Sequence, residues 1–220
     1  MSITIKFNEL DNHHGEVFMK KILTLAITTL FSSTVFAYGV GQITHPLKTN
    51  GQIVSGEFTG IMTNGSGVGL QGRYTRKLSD KMKVDAGVGL GAGDRSFRVF
   101  SGASYEIFPD YDKQPKVDIK AGLEIGSEFG NTITTLSITP IASKGLNLWG
   151  LEGYPFVAMP IGLGLNGDTK TYETIYSLTA GWTGAIPLKK MEKFTASVEM
   201  NLGLKDSYTG MFLGLAYPLK

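Results

Sequence analysis

The stretch KVDIKAGLEIG, residues 116–126, alternates between two kinds of side chain without a break. Its odd-numbered positions, from Val117 to Ile125, are all apolar, and its even-numbered positions carry charge or glycine. A period of two is the period of a β-strand, because successive side chains of a strand point to opposite faces. The stretch therefore predicts a strand with one apolar face and one polar face.

The same alternation recurs along most of the chain from residue 52 onward. Short sequences rich in glycine, asparagine and aspartate, such as TNGSG at 63–67 and NGD at 166–168, separate the alternating runs and are typical of tight turns. Strands of about ten residues joined by such turns predict an all-β fold, an antiparallel up-and-down meander that closes into a transmembrane barrel. We predict ten strands, at 52–62, 68–78, 82–91, 95–108, 116–128, 132–143, 154–165, 171–186, 194–204 and 208–218. Eight strands is the alternative, because Pro140 and Pro160 interrupt the sixth and seventh.

The composition narrows the class of protein. The chain has 220 residues, 29 of them glycine, no cysteine, 18% charged residues and a formal net charge of +2. Without cysteine it is not a disulfide scaffold, and with so small a charge it is not expected to bind nucleic acid. Low charge combined with high glycine content is also unlike an ordinary cytosolic enzyme.

The N-terminal region carries a secretion pattern. In MKKILTLAITTLFSSTVFA, residues 19–37, Lys20 and Lys21 precede a short apolar run, and small residues stand at the positions that precede a cleavage site. This pattern predicts a signal peptide at 19–37. We interpret residues 1–18 as a non-native leader upstream of the true start at Met19, and residues 38–220 as a single β-barrel domain.

Alternation alone does not decide which face lies inside. A secreted, lipocalin-like barrel would enclose a small apolar ligand with its apolar face, whereas a membrane barrel turns that face toward lipid. Glycines such as Gly87, Gly102 and Gly122 share the polar parity, and small residues suit the crowded interior of a narrow barrel. We therefore expect the membrane arrangement. An aromatic girdle is predicted on its outer face, formed by Tyr74, Tyr105, Phe156, Trp182, Phe194 and Tyr217.

The last predicted strand has a pattern of glycine and apolar residues that is similar to a known C-terminal signal. In YTGMFLGLAYPLK, residues 208–220, Gly210 is followed by Leu213, Leu215 and Tyr217, and the pattern resembles the C-terminal insertion signal of small outer-membrane β-barrel proteins of Gram-negative bacteria. It departs from that signal because it does not end on an aromatic residue. The resemblance implies a location in the cell outer membrane, a monomer, and two kinds of partner: membrane lipid and the outer-membrane assembly machinery, reached through the final strand.

The charged residues of the polar face are the candidate functional residues. Because buried charges must be paired, these side chains are expected to form ion pairs that fill a closed lumen. A narrow pore for passive transport of small solutes is the alternative reading of the same lumen. The predicted lumen residues are Glu57, Arg73, Lys77, Lys83, Asp85, Arg98, Glu106, Asp118, Lys120, Glu124 and Glu199.

Catalysis has little support in the sequence. After the predicted cleavage site the chain has one histidine, His45, which precedes the first predicted strand. A lipid-modifying or proteolytic membrane barrel would need a general base, and none of the predicted strands supplies a histidine or cysteine. We therefore expect no enzyme, no metal site and no cofactor, and we retain an outer-membrane lipid-modifying enzyme only as a third alternative.

Overall fold

The computed structural model describes residues 44–62, 67–92, 95–128, 130–148, 151–186, 188 and 191–219. The predicted leader and signal peptide lie outside these residues. No helix within the described part is both long enough and apolar enough to cross a membrane. The strands are β1 (Gln52–Ile61), β2 (Gly67–Lys77), β3 (Met82–Gly91), β4 (Arg95–Phe108), β5 (Lys116–Glu128), β6 (Asn131–Ser143), β7 (Leu146–Leu148), β8 (Leu151–Ala158), β9 (Ile161–Asn166), β10 (Thr171–Ala185), β11 (Thr195–Lys205) and β12 (Gly210–Leu219).

These strands form one closed antiparallel sheet. From β1 to β6 and from β9 to β12, each strand pairs with the next in sequence, and β12 pairs with both β11 and β1, which closes the barrel. β8 and β9 together occupy one place in the wall, between β6 and β10, and the three-residue β7 only extends β8. The wall therefore has ten strands, and the prediction of ten rather than eight is confirmed.

The seventh barrel strand differs from the prediction of one run over 154–165. Pairing with β6 stops after Ile141 opposite Ala158 and resumes at Ile138 opposite Ile161, in the same register. Pro140 and Pro160 lie within this interval, and proline has no N–H to donate to a ladder. The break thus removes hydrogen bonds without shifting the register.

The barrel has two ends with different connections. We call the end at which β1 begins and β12 ends the proximal end, and the opposite end the distal end. Four connections cross the proximal end, and three of them, at 109–115, 144–150 and 186–194, are longer than the turns of the distal end.

The two faces of the wall have opposite character. Leu70 and Leu90 point outward and are 69% and 71% exposed, whereas Glu57, Arg73 and Asp85 point inward and are at most 3% exposed. The apolar face is thus the exterior and the polar face the interior, which is the arrangement of transmembrane barrels and the reverse of a lipocalin.

Candidate functional site in the barrel lumen

The eleven predicted lumen residues all lie on the inward face. Eight of them are buried, namely Glu57, Arg73, Lys83, Asp85, Arg98, Asp118, Lys120 and Glu199. The other three, Lys77, Glu106 and Glu124, are half-buried. The alternation of each strand was therefore sufficient to place these side chains.

A central cluster links β1, β2, β3 and β5. Arg73 pairs with Glu57 (Nε to Oε1, 3.1 Å) and with Asp85 (Nη1 to Oδ2, 3.4 Å), and all three side chains are at most 1% exposed. Lys120 donates to the same Asp85 oxygen at 2.9 Å, and Gln71 donates to Glu57. Two cations thus face two carboxylates, and the charge of a third buried carboxylate, Glu199 on β11, also acts on Arg73.

Gly102 on β4 makes the pair of Asp85 and Lys120 possible. Asp85 lies directly opposite Gly102 in the register, and Lys120 belongs to the strand beyond. A Cβ atom on Gly102 would lie 2.6 Å from Lys120 Cε and 3.1 Å from Asp85 Oδ1. Because glycine has no side chain, Lys120 reaches across β4 to a carboxylate two strands away.

Two smaller groups of ion pairs flank the central cluster. Arg98 pairs with Glu124 at 2.7 Å on one side. Nearer the proximal end, Lys116 lies 2.6 Å from Asp118 and 3.8 Å from Glu106. The sequence did not single out Lys116, although it shares the parity of Asp118 and Lys120 in the stretch that predicts the strand.

A phenylalanine also lies inside the lumen. Phe100 is 7% exposed, and the guanidinium carbons of Arg73 and Arg98 each lie 4.8 Å from the centre of its ring. Its ring covers Gly87, where a Cβ atom would lie 2.3 Å from Phe100 Cζ. Sequence reasoning missed this residue, although Phe100 shares the parity of Arg98 and Gly102.

The predicted aromatic girdle needs one correction. Phe156 points inward and is 5% exposed, and its ring fills the space above Gly181, where a Cβ atom would lie 2.4 Å from it. Its parity is that of Gly162 and Gly164, which the sequence assigned to the interior. The other five point outward: Tyr74, Tyr105 and Tyr217 are exposed, Trp182 covers Gly153, and Phe194 contacts Tyr217 with ring centres 5.1 Å apart.

The opposite side of the lumen is lined by hydroxyl groups. Thr179 is completely buried and donates to Asn201 Oδ1 at 2.7 Å. Between this side and the charged side lies a cavity of about 90 Å³, bordered by Arg98, Lys120, Thr135 and Thr139 among others. The cavity is large enough for a few water molecules. The inward hydroxyl residues of β6 and β10 include Thr135, Ser137, Thr139, Ser143, Ser177, Thr179 and Thr183.

The distal mouth is covered by the connection between β11 and β12. Ser207 Oγ donates to the carbonyl of Tyr176, and Asn201 donates to the carbonyl of Tyr208 at 2.6 Å. The backbone of Ser207 comes so close to Gly203 that a Cβ atom there would lie 2.4 Å from its oxygen. This connection therefore folds over the lumen instead of projecting away from it.

At the proximal mouth, His45 packs against the barrel. Its carbonyl accepts a hydrogen bond from Lys83 Nζ at 3.2 Å, and its ring meets Tyr154 edge to face with centres 5.5 Å apart. Burial, and then the charge of Lys83, lower the pKa of His45 below 6.5. His45 precedes the first strand in sequence, but the structure packs it against Lys83 of β3 and Tyr154 of β8 at the proximal mouth.

Two of the long proximal connections, 109–115 and 144–150, are joined to each other. Asp110 accepts hydrogen bonds from the Lys144 side chain and from the backbone N–H of Gly145, the latter at 2.7 Å. Although burial opposes ionisation, these hydrogen bonds lower the pKa of Asp110 below 3.8. The Lys144 side chain also donates to the carbonyl of Tyr111, which holds 109–115 against the end of β6.

The chemistry available in the lumen is electrostatic. Its carboxylates and cations are engaged with one another, and His45 lies at the proximal mouth rather than among them. In the ranges that the structure describes, no three His, Cys, Asp or Glu side chains are grouped as ligands for a metal ion. The arrangement can hold a few ordered waters and pair charges between the strands of one wall.

No protein-family model matches the chain, and no curated protein matches it. Among solved structures, it is similar to an outer membrane channel from Pseudomonas putida F1, with 8% identity, a TM-score of 0.48, and coverage of 83% of this chain and 100% of that one. It is also similar to a bacterial polysaccharide outer membrane secretin, with 10% identity, a TM-score of 0.47, and coverage of 79% and 67%. The N-terminal β-barrel domain of Pseudomonas aeruginosa OprF shows 16% identity, a TM-score of 0.33, and coverage of 78% and 98%. These likenesses are of fold only.

Proposed function

We propose that the chain is an integral outer-membrane β-barrel with a closed lumen, structural in role and permeable at most to water-sized solutes. The observation that supports this most directly is the filling of the lumen. Ion pairs join Glu57, Arg73, Asp85 and Lys120 along one side of the interior, and Phe100 is held between two arginines. A barrel of about eight to ten strands is barely wider than its own side chains, whereas open channels use about sixteen.

The outer face of the barrel suggests two partners, membrane lipid and the outer-membrane assembly machinery. Membrane lipid would cover the exposed leucines, valines and isoleucines of the outer face, and the assembly machinery would bind β12, which carries the resemblance described above. The protein would act as a monomer and without catalysis, cofactor or nucleic acid.

The first test is refolding. Residues 38–220 are refolded in detergent, in lipid vesicles and in plain buffer, and heated and unheated samples are compared on a denaturing gel. We expect a heat-modifiable band only in detergent or lipid. A protein that folds in plain buffer, without a mobility shift, would contradict the membrane assignment and favour a secreted binder.

The second test measures conductance in planar bilayers. The wild type should show no sustained channel steps, because its lumen is occupied by side chains. Phe100→Ala removes the ring between the two arginines and should raise the frequency of conductance events. Phe97→Ala is the matched control, because Phe97 lies on the same strand but points outward and is 41% exposed. Porin-like steps from the wild type would instead favour the narrow pore.

A further inference from the structure

The exterior of the barrel carries a groove across β1 to β5. Its volume is about 570 Å³, and its floor is made where small residues replace the large apolar ones of the surrounding wall. Gly72, Ala86 and Ser101 form this floor on three consecutive strands. The sides are formed by Val54, Tyr74, Val88, Val99, Leu123 and Ile125.

The groove follows the rows of paired residues across the sheet. Val54 pairs with Tyr74, Tyr74 with Ala86, Ala86 with Ser101, and Ser101 with Leu123. Five strands in register, about 4.8 Å apart, give the groove a length of roughly 19 Å. One leaflet of the hydrocarbon core is roughly 15 Å thick, so the groove is long enough for one acyl chain.

One end of the groove is polar and positively charged. Arg76 is exposed, two residues beyond Tyr74 on the same outward face and opposite Gln52 on β1. The hydroxyl of Tyr74 donates to Gln52 Oε1 at 2.9 Å, which fixes the tyrosine at this end. An arginine guanidinium binds a phosphate through paired, charge-assisted hydrogen bonds.

An apolar groove with a cation at one end matches a molecule that has an anionic head and an apolar tail. We infer that the groove binds one phospholipid, with its phosphate on Arg76 and one acyl chain along Gly72, Ala86 and Ser101. This inference depends on the proposed membrane location. A second copy of the barrel is a poorer fit for two reasons. Its convex wall would leave the groove unfilled, and it would bury the charge of Arg76.

The test is native mass spectrometry of protein refolded in phosphatidylglycerol vesicles and released into detergent. The wild type should retain one phosphatidylglycerol molecule. Gly72→Leu fills the groove, and it should not disturb folding because a Cβ atom at Gly72 meets nothing within 4 Å. Arg76→Gln removes the cation. Arg76→Gln should retain the lipid about tenfold less, which corresponds to the loss of one charge-assisted contact. Gly72→Leu should also retain less lipid than the wild type, because its side chain occupies the space of the acyl chain.

Two variants serve as controls. Ala180→Leu enlarges an exposed residue on β10, on the far wall, and Lys81→Gln removes an exposed cation from a turn at the same end as Arg76. Both should retain the lipid like the wild type. Equal retention by all four variants, equal retention of an uncharged diacylglycerol, or a dimer peak would overturn the inference. The heat-modifiable band is scored first on the same samples, so a failure of membrane folding is distinguished from a failure of lipid binding.

Discussion

The wall of β1–β5 and the wall of β6–β10 enclose the same lumen but hold it together in different ways. The first carries the paired charges of Glu57, Arg73, Asp85 and Lys120, and the second is lined by threonine and serine hydroxyls such as Thr179. Paired charges depend on partners on other strands, whereas a hydroxyl is satisfied by one neighbour or by water. The difference predicts that single substitutions in the charged wall have consequences across several strands.

Arg73→Met should have the largest effect. It leaves Glu57 and Asp85 without their shared cation at positions where neither side chain is exposed, and breaking a buried pair costs about 3–5 kcal/mol. Thr179→Val in the hydroxyl wall removes one hydrogen bond and should cost about 1–2 kcal/mol. The measurement is urea-induced unfolding in lipid vesicles, followed by gel mobility. Equal costs would remove the distinction between the walls.

Glycine substitutions within the charged wall compare an inward position under a ring with one that faces the hydroxyl wall. At Gly87 an added Cβ atom would lie 2.3 Å from Phe100 Cζ and 2.4 Å from the backbone oxygen of Gly72, so Gly87→Ala should cost about 1–3 kcal/mol. At Gly122 the nearest atom is Ser137 Oγ at 2.8 Å, on a side chain that can rotate away. Gly122→Ala should therefore cost less than about 1 kcal/mol. Gly56→Ala, with nothing within 4 Å, sets the baseline in the same unfolding assay.

The proximal mouth should respond to mild acid, because the pKa of His45 is lowered in the folded state by burial and by Lys83. The unfolded state then binds more protons, so stability falls as the pH drops through 6.5 toward the lower folded pKa. Each unit of pKa difference corresponds to about 1.4 kcal/mol at most. Limited proteolysis near residues 44–50 should accelerate below pH 6.5 in the wild type. In His45→Gln this pH dependence should vanish, and its persistence would assign it to another group.

The smallest effect is expected at the joined proximal connections. The pKa of Asp110 is lowered, so its contribution is present above pH 3.8 and is lost as the pH falls through the lower folded value. Because Asp110 is largely solvent-accessible, Asp110→Asn should cost less than about 1 kcal/mol at neutral pH and nothing at pH 2. The comparison is the unfolding free energy of both proteins at the two pH values. A cost that stayed constant with pH would mean that the carboxylate charge contributes nothing.

Most of the fold could be predicted from the sequence because the exterior and the interior of the wall impose opposite side chains at every second residue. The predicted bounds of β3, β4 and β5 match the structure. The seventh barrel strand differs from the predicted single run over 154–165. Two prolines on paired strands interrupt its ladder of hydrogen bonds, and a short hairpin with β7 extends β8. Alternation reports the face of each residue but not the loss of individual hydrogen bonds.

The sequence predicted which charged residues face the lumen but not which of them pair with one another. Alternation placed Asp85 and Lys120 inside, yet their pairing depends on the register of three strands and on the absence of a side chain at Gly102. The inward orientation of Phe100 and Phe156 was missed for a related reason. Each of these rings packs over a glycine on a neighbouring strand, Phe100 over Gly87 and Phe156 over Gly181. The sequence alone does not show which glycine lies beside which ring.

The shared carboxylate of Asp85 also sets a condition on the order of assembly. One of its partners, Arg73, lies on the preceding strand, and the other, Lys120, lies two strands later in the chain. While β5 is missing, the strands β2 to β4 carry this carboxylate with only one of its two cations, at a site that ends up free of solvent. The strands from β2 to β5 should therefore enter the membrane together, as one kinetic step, rather than hairpin by hairpin.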